Sequence, residues 1–176
     1  SREPGHCLGI VLRGIFLNTE NNLHWLYGDG ASSMFPAAWA DFTAPINHSL
    51  GSINDVLTAY AELLHADDEF TRLQAARAWN LWEYRLSVAD SQATQARKTG
   101  SSHELSNAQI EHHYLSQHCF FDPKIFDRPN AELDAIPMYL LHGANDYVCP
   151  LGNAKHLKAL FPQINLEILE GASNIL

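Results

Sequence analysis

Three carboxylates stand where they could do chemistry. Asp146 closes the segment Leu141-His142-Gly143-Ala144-Asn145-Asp146, just past a short apolar run. An acid immediately beyond the C-terminal end of a buried strand sits where α/β sheets place working groups. The same aspartate could instead be a turn residue whose side chain accepts bonds from its own backbone. Glu83 lies among aromatics in Trp79-Asn80-Leu81-Trp82-Glu83-Tyr84. Helical spacing puts it beside Trp79 and Asn80, at the edge of an apolar stripe. It then faces either solvent or a pocket suited to a cation. Glu111, in Ile110-Glu111-His112-His113-Tyr114, poses the same choice. Two such acids converging on one place would suit an amine. A charged N-terminal nitrogen must shed water on binding, and paired carboxylates replace that solvation.

Other reactive residue types carry less. His112, His113 and His118, with Cys119 beside them, invite a metal reading. Neighbouring residues on a helix point about 100° apart, and no HExxH pair exists, so the spacing is poor for one shared zinc. Exposed or packing histidines are expected there, with no metal and no cofactor. A serine nucleophile on a strand-to-helix elbow needs the pattern G-x-S-x-G, because glycines must flank the strained turn. Gly30-Ala31-Ser32-Ser33-Met34 and Gly171-Ala172-Ser173-Asn174-Ile175 each lack the second glycine.

The elements that must position these residues follow from periodicity. Leu8 to Phe16 reads as a strand, a short branched run of the kind buried on both faces in a parallel sheet. From about Leu17 to Asp134 the pattern is helical. Val56, Leu57, Tyr60, Leu63 and Leu64 share one helical face, with Ser52 and Asp55 as a capping box at its start. A second helix is expected from Asp67 or Asp68 to about Ser87, burying Phe70, Leu73, Ala76, Trp79 and Trp82. The polar stretch Ala89 to Ser102 reads as a loop. Ser101 and Glu104 would cap a third helix to about Gln117, with Leu105, Ile110 and Tyr114 inward. After Pro137, Met138 to Leu141 forms a strand. Pro150 opens a helix to about Leu160, and Ile164 to Leu169 makes a last strand. The closing strand-helix-strand unit implies parallel strands and a right-handed crossover. The fold class is therefore α/β, an incomplete core over 1–16 and 135–176 with a helical cap inserted over 17–134.

Composition narrows the partners. A hydrophobic share of 46% with 18% charged residues suits a globular chain, and 176 residues suffice for a real core. Eleven Lys and Arg against 20 Asp and Glu give a formal charge of −9, which repels phosphate backbones, so no nucleic acid is expected. No apolar run reaches the roughly 18 residues a membrane span requires. Cys7, Cys119 and Cys149 are odd in number and form no CxxC, which favours a reducing, cytoplasmic setting. Ser1 leads within a few residues into a buried-type strand, so the chain is expected to begin inside a domain.

In order along the chain, a series of segments resembles the proline iminopeptidases (prolyl aminopeptidases), serine peptidases of the α/β-hydrolase superfamily. They are Val11-Leu12-Arg13-Gly14-Ile15-Phe16, Leu23-His24-Trp25-Leu26-Tyr27, Asp29-Gly30-Ala31-Ser32, Phe35-Pro36 with Trp39, and Ala44-Pro45-Ile46. Ala75 to Glu83, Ile110 to Tyr114, His142-Gly143 and Asp146-Tyr147-Val148-Cys149-Pro150 complete the series. The resemblance implies a helical cap inserted into an α/β-hydrolase sheet and release of N-terminal proline from peptides. It implies that Asp146 is the triad acid, that Glu83 and Glu111 hold the substrate's free amine, and that Phe16 and Cys149 lie at the proline-ring pocket. By the same pattern the serine elbow falls before Ser1, Asn174 stands where the family has its catalytic histidine, and Gln109 replaces a usual arginine. The expectation is a C-terminal peptidase fragment without nucleophile or histidine, poorly soluble alone through an open apolar sheet edge. A truncated, non-catalytic binding or structural protein is the alternative. A capped esterase is a weaker one, having no use for two amine-binding acids.

Overall fold

A computed structural model describes residues 4–90, 93, 101–122, 133 and 135–174. The chain divides into two compact units, Ser1–Leu17 with Asp122–Leu176, and Asn18–Phe121. The first is built on a parallel sheet of β1 (Ile10–Arg13), β2 (Met138–Gly143) and β3 (Asn165–Leu169), in that spatial order. Ile10 pairs with Met138 and Leu140 with Leu166, which sets the register. Gly14, at φ +58°, takes the left-handed backbone that ends β1. β1 is thus shorter than the apolar run suggested.

The expectation that this strand is buried on both faces is not met. α7 (Leu151–Leu160), which follows Pro150, presents Ala154 and Leu157 three apart. With Ile15, Leu17, Met138, Leu140 and Ile164 they make the core of this unit. Within β1 and β2 alternate residues point the other way, so Val11 and Tyr139 are exposed.

The second unit is all helix: α1 (Glu20–Tyr27), α2 (Asp29–Met34), α3 (Pro36–Thr43), α4 (Ile53–Leu64), α5 (Glu69–Ser87) and α6 (Ser101–Ser116). Its centre is aromatic. Phe42 stacks on Tyr60 at 4.7 Å and on Trp82 at 5.5 Å, while Tyr27 stacks on Trp79 at 5.1 Å. Two polar edges of this cluster find backbone partners. The Tyr60 hydroxyl donates to the Phe42 carbonyl at 2.6 Å, and the Trp82 indole N–H to the Leu26 carbonyl at 3.2 Å. Burial pushes the Tyr60 phenol upward, so it remains a donor.

Helix starts follow the sequence closely. The Ser52 hydroxyl accepts from Asp55 N at 3.2 Å, and the Asp55 carboxylate reaches back to accept from Gly51 N at 2.8 Å. Asp68 accepts from the backbone N–H and the hydroxyl of Thr71, starting α5 at Glu69. The Ser101 side chain and residues 94–100, part of the expected loop, lie outside the described residues.

The inward face of α6 needs correcting. Ile110 and Tyr114 are 61% and 50% exposed, and the buried residues are Ala108, His112 and Leu115. Polar ties decide the helix rotation. His112 Nε2 donates to the Leu57 carbonyl at 2.7 Å and Gln109 Nε2 to the Leu64 carbonyl at 2.8 Å. Those bonds satisfy carbonyls in and at the end of α4, and they turn Ile110 and Tyr114 outward, where Tyr114 meets Phe120. Phe70, in the first turn of α5, is likewise exposed. Past α6, His118, Cys119 and Phe120 all have positive φ, and the Asn18 amide holds the His118 carbonyl.

Tyr60→Phe should strip the buried Phe42 carbonyl of its donor while keeping the ring. A loss of about 1–3 kcal/mol is expected, read as a lower urea midpoint with an unchanged slope.

Candidate functional site

The first candidate region gathers at the ends of the three strands. β2 stops at Gly143, where a Cβ would lie 2.5 Å from the Ser173 carbonyl oxygen and 2.6 Å from that of Ala172. Only glycine lets the loop after β3 approach so closely. The approach is fastened by Ala144 N to the Leu169 carbonyl at 3.0 Å and Asn145 N to the Ala172 carbonyl at 2.9 Å.

Asp146 follows, 4% exposed. Its Oδ1 accepts from Val148 N at 3.0 Å and Cys149 N at 2.7 Å, the turn arrangement open to any aspartate. Its Oδ2 accepts from Asn174 Nδ2 at 2.9 Å. One oxygen therefore shapes the turn and the other reaches the next loop, so the two sequence readings of Asp146 are compatible. Asn174 Nδ2 also lies 3.6 Å from where a Cβ on Gly14 would stand, so the end of β1 borders the same point.

His142 is buried below this turn. Its Nε2 donates to the Cys149 carbonyl at 2.7 Å and sits 3.8 Å from Asp146 Oδ2, while its Nδ1 has no partner among the described residues. Cys149 is 6% exposed, outside any disulfide, with its backbone N–H and carbonyl both committed to the turn. Phe16 is half-buried between Ile15 and Leu17. The Ile15 carbonyl accepts from Asn153 Nδ2 at 3.0 Å, which ties the exit of β1 to α7.

The second region belongs to the helical unit. Trp79 and Glu83 are one turn apart on α5, hence on one face, and that face packs against α6. The Trp79 indole N–H donates to Glu111 Oε2 at 3.0 Å. The Glu111 and Glu83 side chains are within hydrogen-bond reach of each other. Both are half-buried, so neither occupies a solvated face. Burial raises the Glu111 carboxyl well above the usual range, and the Glu83 charge raises it further. Tyr27 stacks on Trp79, and burial, then Glu111 and Glu83, push its phenol upward too. The structure thus brings Glu83 and Glu111 together, while Asp146, Phe16 and Cys149 belong to the other unit.

No protein-family model matches the chain. Individual proteins do. The chain is 38% identical over 174 residues to a proline iminopeptidase of Xylella fastidiosa, covering 98% of this chain and 55% of that protein. It is 34% identical over 176 residues to a probable proline iminopeptidase of Leptolyngbya boryana, covering 98% and 54%. A proline iminopeptidase of Arabidopsis thaliana is 31% identical over 177 residues, covering 98% and 46%. The chain is a homologue of the proline iminopeptidases. It spans about half the length of the curated relatives it matches, their C-terminal part.

With proline iminopeptidase relatives in view, two further positions are informative. Gln109 spends its amide on the Leu64 carbonyl, and Trp79 is the residue that holds Glu111. The spacing of Trp79 and Glu83 signalled a shared face, but nothing in the sequence announced the indole bond across to α6. Among the described residues no group of three His, Cys, Asp or Glu could hold a metal. His112 gives its Nε2 to Leu57, and burial lowers its pKa. Nor, among those residues, is any helix long and apolar enough to cross a membrane.

The raised Glu111 carboxyl carries a cost in stability. Folding takes up a proton wherever the folded group holds one and the unfolded group does not, so stability falls as pH rises above the ordinary carboxylate range. Glutamine at this position can accept from Trp79 and donate to Glu83 without any proton. Glu111→Gln should therefore melt higher at pH 8, by about 1 kcal/mol or roughly 2–4 °C, with the gain shrinking at pH 4. Equal gains at both pH values would refute a buried, protonated Glu111.

Proposed function

We propose that this chain is the C-terminal part of a serine-type prolyl aminopeptidase that releases N-terminal proline from peptides. The paired carboxylates carry the reading. A free peptide amine is a cation, and Glu83 with Glu111 offers two acceptors at a half-buried place backed by Trp79 and Tyr27. Water is restricted there, so each charge-assisted bond counts for more than at an open surface. In this reading the helical unit Asn18–Phe121 is the cap of an α/β-hydrolase and grips the substrate by its amine.

Asp146 takes the role of triad acid. Such an acid must be rigid and must keep one oxygen for the imidazole it orients. Two backbone N–H groups fix Oδ1, which leaves Oδ2 for that task. Phe16 and Cys149 would border the proline ring. Cys7, Cys119 and Cys149 form no disulfide, which fits a reducing cytoplasm.

A second reading has its own observation. Asn174, at the place where the family resemblance puts histidine, donates its amide to Oδ2. An amide supplies the hydrogen bond an imidazole would give, yet it cannot take a proton from a serine. The sequence also holds no G-x-S-x-G elbow. On this reading the product is non-catalytic and keeps at most peptide binding.

Purified as it stands, the chain should not hydrolyse proline-4-nitroanilide, because an acid without its partners supplies no useful rate. Clear turnover tracking with the pure protein would overturn that. The coding region on either side separates the two readings. An in-frame serine elbow upstream and a Gly-His pair downstream favour the enzyme, and their absence favours the binding protein.

A further inference from the structure

Glu83 and Glu111 pose a charge problem within the helical unit. Both are half-buried, their side chains are within hydrogen-bond reach, and Glu111 Oε2 is already taken by the Trp79 indole N–H. Two carboxylates so close cannot comfortably both ionise unless a cation stands beside them.

The neighbouring elements supply none among the described residues. Tyr27 on α1, Tyr60 on α4 and Cys119 in the turn after α6 are neutral, and burial raises each of them. His112 on α6 is lowered by burial and spends its Nε2 on Leu57. His113 and His118 are exposed, and His113 packs on Phe120. The two cations of α5 nearest in sequence are engaged elsewhere, Arg77 with Glu104 at 3.5 Å and Arg85 with Asp41 at 2.7 Å.

We infer that Glu83 and Glu111 share one proton in the free protein, and that a substrate ammonium group displaces it on binding. This rests on the amine-site reading above and adds to it a proton exchange. The balance is simple. A carboxyl–carboxylate pair and an ammonium ion become two carboxylates bridged by that ammonium, with one proton released to solvent. A secondary ammonium has two N–H groups, one for each acid, so it replaces the bridging proton without leaving an oxygen bare. Amine capture is thereby tied to pH. Acid retains the proton and opposes binding, and affinity climbs as pH rises while the amine itself stays charged.

Titration calorimetry of the whole chain with L-prolinamide tests this, run near pH 6.5 and near pH 7.5 in phosphate and in MOPS. Those buffers differ in ionisation heat, so the comparison counts protons. Release of about one proton per prolinamide is expected, with affinity rising close to tenfold over that pH step. Glu111→Gln should bind more weakly and release none. Binding with no proton release and equal affinity at both pH values overturns the exchange and leaves the amine site standing. No binding at either pH overturns the amine site and the displacement together. The shared proton has its own readout in protein carrying ¹³C at the glutamate carboxyls. One carboxyl still protonated near pH 6.5, and missing from Glu111→Gln, supports it. A spectrum in which every glutamate is ionised at that pH overturns it.

Discussion

The bond from the Trp79 indole N–H to Glu111 governs how the helical unit is arranged. Trp79 is 1% exposed and sits inside the aromatic cluster, against Tyr27, Phe42 and Tyr60. An indole buried so deeply must find an acceptor for its N–H. By finding it on α6, the core of one helix fixes where the carboxylate of another is held. The rotation of α6 follows, with His112 and Ala108 inward and Ile110 outward. The aromatic core and the acidic pair are therefore a single construction, because disturbing the ring would release the acid.

A different logic operates at the strand ends. There the positions are set by backbone: Gly143 admits a close loop, and successive N–H groups fix one oxygen of Asp146. The second oxygen meets an amide from Asn174. Such a carboxylate is satisfied on both sides, which accounts for its burial. The same satisfaction makes the loop stable whether or not any chemistry is done there. His142 is the less comfortable neighbour, since one ring nitrogen is buried without a partner among the described residues.

Most of the architecture was legible in the sequence. The last strand-helix-strand unit and the start of α5 at Asp68 came from local signals: proline, a capping acid, and apolar spacing at period two or near four. What failed was the facing of α6, and the reason is physical. Hydrophobicity alone ranked Ile110 and Tyr114 above Glu111 and His112 for burial. Partners on other helices, the Leu57 carbonyl and the Trp79 indole, lie more than 30 residues away and reversed the order. Long-range polar satisfaction leaves no local periodic trace. β1 failed in a similar way, for an apolar run does not reveal which of its faces will be covered.

The acidic pair is also where local rules and the global fold disagree. Two carboxylates facing each other under cover oppose folding, and a glutamine or leucine at either place would relieve that. The helical unit tolerates them because its aromatic core and polar ties are otherwise well satisfied. Under the proposed amine-binding reading, an ammonium would convert that repulsion into two favourable bonds. The acidic pair and the aromatic core behind it lie on α1, α3, α4, α5 and α6. In the proposed reading, the residues that would hold an amine and the acid at the strand ends belong to different units. The binding reading and the peptidase reading therefore share one physical basis, and they differ in what accompanies Asp146.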